Sequence, residues 1–139
     1  MSSATPSDAG LKRFDIANAR AALWTQRAAR ATRRTVERRG LEAALPAPPP
    51  PPLPAGAVRG VRAVLRRGHY TCVVRSIVMQ AWLAAHGEEL DLIVGVRAPG
   101  REFAAHAWLE GEPPHAEGPF HELLRRPASP PALNDAELS

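Results

Sequence analysis

Cysteine is almost missing from this sequence: Cys72 is the only one in 139 residues. An internal disulfide is therefore excluded, and with it the class of small disulfide-stapled secreted domains. No apolar run is long enough to cross a bilayer. The opening MSSATPSDAG lacks a basic stretch followed by an apolar one, so it does not read as a secretory signal. Together these absences suggest a reducing cytoplasm, where a thiol stays free. Aromatic residues make up only 5% of the chain, which argues against a stacking platform for single-stranded nucleic acid. What is abundant is alanine, arginine and proline, part of which GC-rich coding alone would produce. Nearly all the basic residues are arginine, the net charge is +4 and the isoelectric point is about 10.5. Such a surface favours anionic partners, whether nucleic acid, membrane or an acidic protein.

The length fits one domain near the low end of comfortable core size. Residues 9–41 read as one long helix, with Asp8 as N-cap and Gly40 as stop. Phe14, Ala17, Ala21, Trp24, Ala28, Ala31 and Thr35 fall on one stripe by their alternating spacings of three and four. Arg13, Arg20, Arg27 and Arg34 each precede a stripe position and line its border. They read either as a solvated rim whose stems cover apolar surface or as an electropositive face for an acidic partner. No helix-turn-helix or zinc pattern accompanies them, so no nucleic-acid partner is expected. ALPAPPPPPLPAG (44–56) is a stiff extended spacer. A short helix over 57–67 follows, with Val58, Val61, Val64 and Leu65 on one side and Gly68 ending it.

Thr71 to His86 then reads as a helix, capped by Thr71 and stopped by Gly87, with Val74, Ile77, Val78, Ala81 and Ala85 on its apolar face. Cys72 falls in the first turn. LDLIVGVR (90–97) and FAAHAWLE (103–110) read as an antiparallel hairpin around the turn APGR. Phe103, Ala105, Ala107 and Leu109 share one face of the second strand; Ala104, His106, Trp108 and Glu110 share the other. A further short strand is expected around His115 to Phe120, and a disordered tail after Pro127.

A thiol in the first turn of a helix meets unpaired amide hydrogens and the positive end of the peptide dipoles. Both favour thiolate, the nucleophilic form, and the same amides can hold an oxyanion. A helix-start cysteine, a hairpin and a histidine off one strand face is the arrangement papain-like hydrolases use. A single free cysteine is, equally, a common packing residue. A zinc reading would draw on His69, Cys72 and His106 with His115 or His121, but no paired ligand spacing supports it.

"CVVRSIVMQAWLAAHG", "LIVGVR" and "AAHAWLE" together resemble the core of the transglutaminase-like cysteine protease superfamily, and most specifically the lasso peptide biosynthesis B2 proteins, the leader peptidases. The family pattern has a helix opening with Cys-Leu-x-Arg and ending in Gly, a strand with a Gly-Val pair, and His-Ala-Trp-x-Glu. The resemblance covers about residues 55 to 125. It implies an α+β fold in which N-terminal helices accompany a papain/transglutaminase-like core, its nucleophile helix packed on a small antiparallel sheet. The implied division is a basic helix and proline-rich linker over 1–54, a peptidase core over 55–127 and a tail over 128–139.

By the same resemblance Cys72 takes the nucleophile's place and His106 that of the general base and acid. Trp108 shares the strand face of His106, contacts substrate and shields the thiolate–imidazolium pair. Arg75 matches the family arginine, for which a salt bridge anchoring the hairpin is expected. The family orients its histidine with an aspartate. The matching position here is Gly118, so Glu117 is the substitute and Glu112 the second candidate. The implied activity is removal of the leader from a ribosomally made lasso precursor in the cytoplasm. The implied partners are a separate leader-recognition protein and an asparagine-synthetase-like cyclase, with no cofactor or metal. A weakened scaffold protein and an acyl-transferring relative are the alternatives.

Overall fold

The computed structural model describes residues 8–97, 104–112 and 120–128. Helix α1 spans Asp8–Arg39 and is followed by an extended proline segment, a 3-10 turn at Ala55–Ala57 and helix α2, Val58–Arg67. Helix α3 spans Cys72–Ala85. Strands β1 (Leu92–Arg97), β2 (Ala104–Leu109) and β3 (His121–Arg126) complete an α+β chain. All three strands are antiparallel in the order β2-β1-β3. The hairpin of β1 and β2 is as expected. The short strand expected around His115 to Phe120 falls almost wholly on residues 113–119, outside the described ones, as does 129–139 where a disordered tail was expected; the third described strand begins at His121. HELLRR shows no strict alternation, and β3 pairs with β1 through a register shift at Val94/Gly95, so periodicity alone does not locate it.

Helix α3 packs on α1 as well as on β1 and β2. Burial on more than one side explains why its interior positions exceed the single expected face. Val74, Ile77 and Val78 are buried, but so are Gln80 and Trp82, whereas Ala85 is exposed. Gln80 is satisfied, its amide donating to the carbonyls of Leu90 at 2.8 Å and Arg126 at 3.1 Å. Trp82 meets Trp24 of α1 at 5.8 Å between ring centroids.

On α1 the buried line begins as expected at Ala17, Ala21, Trp24 and Ala28. It then drifts onto Thr25, Ala29 and Thr32, leaving Ala31 and Thr35 only half-buried. A helix of 3.6 residues per turn rotates about 20° per heptad against a 3.5-residue pattern, which accounts for the drift. Thr25 tolerates burial because its hydroxyl donates to the Ala21 carbonyl at 2.7 Å. Arg20, Arg27 and Arg34 are exposed beside this line. The side chains of Arg13 and Phe14 lie outside the described ones.

The proline segment is extended, and it is also packed. Trp24 Nε1 donates to the Pro48 carbonyl at 3.1 Å, and the two ring nitrogens of His86 lie 2.8 and 2.9 Å from the carbonyls of Trp82 and Leu53. Ala44 and Ala47 of the segment are themselves buried. At the far side, Arg125 of β3 meets Glu122 at 2.7 Å and Asp91 and Glu110 at 3.1 Å each, clipping the strand ends together. Those carboxylates hold its guanidinium above its ordinary value, Glu122 most of all, with Asp91 next. Burial pushes the neighbouring Arg126 down. No helix among the described residues is long and apolar enough to cross a membrane.

Candidate active site

Thr71 caps α3 as expected: its backbone is extended and its side-chain oxygen accepts from the Val74 amide at 3.3 Å. The Thr71 carbonyl accepts from the Arg75 amide at 3.0 Å. The helix-start donors that the cap leaves unused are therefore those of Cys72 and Val73. Cys72 occupies the first helical position and is half-buried. Tyr70, two residues before it, lies under the Arg33 guanidinium at 5.2 Å, so the connection leading into α3 is fastened to α1.

His106 comes from β2, which is held alongside the first turns of α3. Ser76, one turn after Cys72, donates its hydroxyl to the Ala107 carbonyl at 3.4 Å. Ala107 and Leu109 point into the core, and the alternation of β2 turns His106 and Trp108 the other way. There the His106 ring is stacked on Trp108 at 6.0 Å and meets Phe120 at 5.7 Å. The Arg97 guanidinium covers the outer side of Phe120 at 5.8 Å. His106 Nε2 is shielded from solvent in this cluster.

Gly95 makes the cluster geometrically feasible. It pairs with His106 across the β1–β2 ladder, and a Cβ added there would lie 2.7 Å from Trp108 Cη2 and 3.1 Å from Phe120 Cβ. The indole can lie flat on the strand only because that carbon is missing.

Cys72, His106 and Trp108 line one cavity of about 600 Å³, together with Arg75, Glu112 and residues of α2. The structure thus brings together five of the residues singled out by sequence: Cys72, Arg75, His106, Trp108 and Glu112. Arg75 departs from expectation: it is exposed and forms no ion pair among the described residues, and the hairpin is anchored by Ser76, Gln80 and Arg125 instead. Glu117 falls outside the described residues. Glu112 follows β2 on the cavity's rim, exposed. Glu122 pairs with the opposite side of Gly95, but Arg125 holds its carboxylate. No group of three His, Cys, Asp or Glu side chains suited to a metal converges among the described residues.

Sequence reasoning missed Phe120, the role of Gly95, and the row Arg59, Arg62 and Arg66, which also lines the cavity. The spacing of that row was visible, but arginines on a helix border usually signify solvation. A nucleophile at a helix start beside a strand histidine, in a cavity floored by side chains, is competent for thiol-based acyl chemistry.

Comparison with curated proteins and with solved structures returned no match. A family described as the transglutaminase-like superfamily matches residues 15–124, from within α1 into β3. That superfamily typically includes cysteine proteases and acyltransferases. With most of its length matched, the chain belongs to the transglutaminase-like superfamily.

Proposed function

We propose that this protein is a cysteine peptidase that removes the leader from a ribosomally made lasso-peptide precursor. The observation that carries the thiol chemistry is the single cavity shared by Cys72 in the first turn of α3 and His106 on β2. In the proposed cycle the His106 imidazole takes the Cys72 Sγ proton, and the thiolate attacks the scissile carbonyl carbon. The tetrahedral oxyanion is held by the Cys72 and Val73 amides. Its collapse breaks the C–N bond, and the leaving amine takes the proton from the imidazolium. Water, deprotonated by His106, then attacks the thioester; the acyl group leaves as a carboxylate and Sγ regains its proton.

The leader-peptidase reading rests on the helix, strand and His-Ala-Trp motifs named above. In this reading a separate recognition protein presents the leader, and a cyclase closes the ring after cleavage. Incubating precursor, recognition protein and this enzyme should give free leader and core by intact mass. Turnover of a small peptide thioester with presented precursor left whole would retain the chemistry and remove the leader role. Product carrying an added amine in place of water would move the assignment to acyl transfer.

The exposed arginines of α1 are proposed as the docking face for the presenter, joined by Ile16 and Leu23, which are 58% and 49% exposed. Charge reversal of Arg20, Arg27 and Arg34 should raise the apparent KM for presented precursor about 10-fold or more. Turnover of the small thioester should continue. An unchanged KM for presented precursor would place the presenter elsewhere.

The orienting carboxylate is assigned to Glu117, with Glu112 as the competitor that lines the cavity. Glu117→Gln should lower kcat by roughly 10-fold or more without lowering the melting temperature, and Glu112→Gln should do less. The reverse order transfers the role to Glu112, and two neutral variants leave a Cys–His dyad.

Gly95→Ala should displace the Trp108 ring and with it the wall behind His106. We expect kcat/KM to fall about 10- to 100-fold while far-ultraviolet circular dichroism stays native-like. Wild-type kinetics in that variant would show that Trp108 packing does not hold the histidine.

A further inference from the structure

We infer that the cavity takes a peptide segment with an apolar residue flanked by acidic ones, its carboxylates held by the guanidinium row of α2. The inference rests on the peptidase reading above and adds the substrate class.

Arg59, Arg62 and Arg66 stand at spacings that place them on one face of α2, while Gly60, Val61 and Leu65 face the core. Arg75 stands three residues after Cys72, so it shares the nucleophile's side of α3. All four arginines line the cavity that holds Cys72 and His106. Arg62, Arg66 and Arg75 are exposed and form no ion pair among the described residues. Asp91, Glu110 and Glu122 are all committed to Arg125. Glu112 is the one described carboxylate on the lining, set against four guanidinium groups. Among the described residues, the wall therefore carries the positive charge of Arg62, Arg66 and Arg75 without an ion-pair partner.

Shape narrows the ligand. Seven residues of helix separate Arg59 from Arg66, a rise of about 10 Å. Side chains on one face of an extended peptide recur about every 6.6 to 6.8 Å, so the row reaches carboxylates two or three residues apart. Leu65, Met79 and Leu109 give the same cavity apolar lining, which suits one aliphatic side chain between them. A guanidinium fork matches a carboxylate bidentately, and exposed pairs of this kind discriminate modestly and lose strength with salt. A duplex nucleic acid would also seek arginine, but a concave site of about 600 Å³ with an apolar lining holds a few side chains, not a phosphate ladder.

The test uses the full chain carrying Cys72→Ala and two fluorescein-labelled short peptides. Each has one leucine between two glutamates set three residues apart in one peptide, and between two glutamines at the same positions in the other. Fluorescence anisotropy should give about 10-fold tighter binding of the glutamate peptide at low salt. The advantage should fade across a salt series and vanish when Arg62→Gln and Arg66→Gln are added. Equal affinities, an advantage that survives those two substitutions, or displacement of the peptide by far less duplex oligonucleotide would each overturn the inference. A parallel turnover assay on the chain with Cys72 intact separates the two readings. Selective binding with no cleavage of either peptide keeps the acidic-segment wall and removes the peptidase. Cleavage of both at equal kcat/KM keeps the peptidase and removes the wall.

Discussion

Cys72→Ala should reduce hydrolysis of presented precursor and of a small peptide thioester by at least about 10³-fold, to the uncatalysed background. The thiol is the only sulfur nucleophile the chain owns, and its position at the start of α3 leaves two amides beside it for an oxyanion. His106→Ala should cost about as much, because a nucleophile and its base act as a unit and their losses do not add. The double variant should therefore be no slower than either single one. Neither change removes core volume of consequence, since both side chains are half-buried at a cavity wall. Melting temperatures close to the parent's are expected. Thioester turnover by Cys72→Ala at the parental rate would end the nucleophile assignment, and clearly additive losses would show that the pair does not work together.

Gly60→Ala should produce the largest loss of stability from a single added methyl group. Gly60 is buried where α2 crosses α1, and a Cβ there would overlap the carbonyl oxygen of Asn18. The obstacle is backbone of another helix, so no flexible side chain can swing away to make room. The helices must separate, which weakens the alanine-lined contact around Ala21. Overpacking of this kind costs about 1 to 3 kcal/mol, or several degrees of melting temperature in a domain of this size. The gain in helix propensity from glycine to alanine offsets less than about 1 kcal/mol of it. Thermal unfolding followed by circular dichroism measures the result. A midpoint unchanged from the parent would mean that α1 and α2 do not cross so closely. Because α2 also carries Arg59, Arg62 and Arg66, the variant should lose preference for an acidic peptide together with stability.

What could be read from the sequence was whatever rests on local chemistry. Thr71 before an apolar-periodic run is a cap signal, and it placed Cys72 in the first turn without any tertiary information. The alternation of AAHAWL put His106 and Trp108 on one face and Ala107 and Leu109 on the other, which the burial pattern matches. The features that escaped are set by distant partners. The proline segment is extended from its composition alone, but its packing depends on Trp24 and His86, far away in the chain. Gln80 reads as a solvent-facing residue until the carbonyls of Leu90 and Arg126 are brought to it. The central place of β1 depends on where β3 pairs, and HELLRR carries too weak an alternation to announce it. Gly95 looked like part of a strand motif; its reason is the Trp108 ring lying on it.

The central claim is that Cys72 forms a covalent acyl intermediate, and rapid quenching with intact-mass measurement tests it most directly. The enzyme is mixed with an activated peptide ester and quenched in acid within the first turnover. The account predicts a species heavier by the acyl group, located on the peptide containing Cys72 after proteolysis and accumulating as a burst before steady hydrolysis. The same mixture with Cys72→Ala should show neither adduct nor burst. Steady product formation with no mass added to Cys72, or an adduct on another residue, would contradict the account.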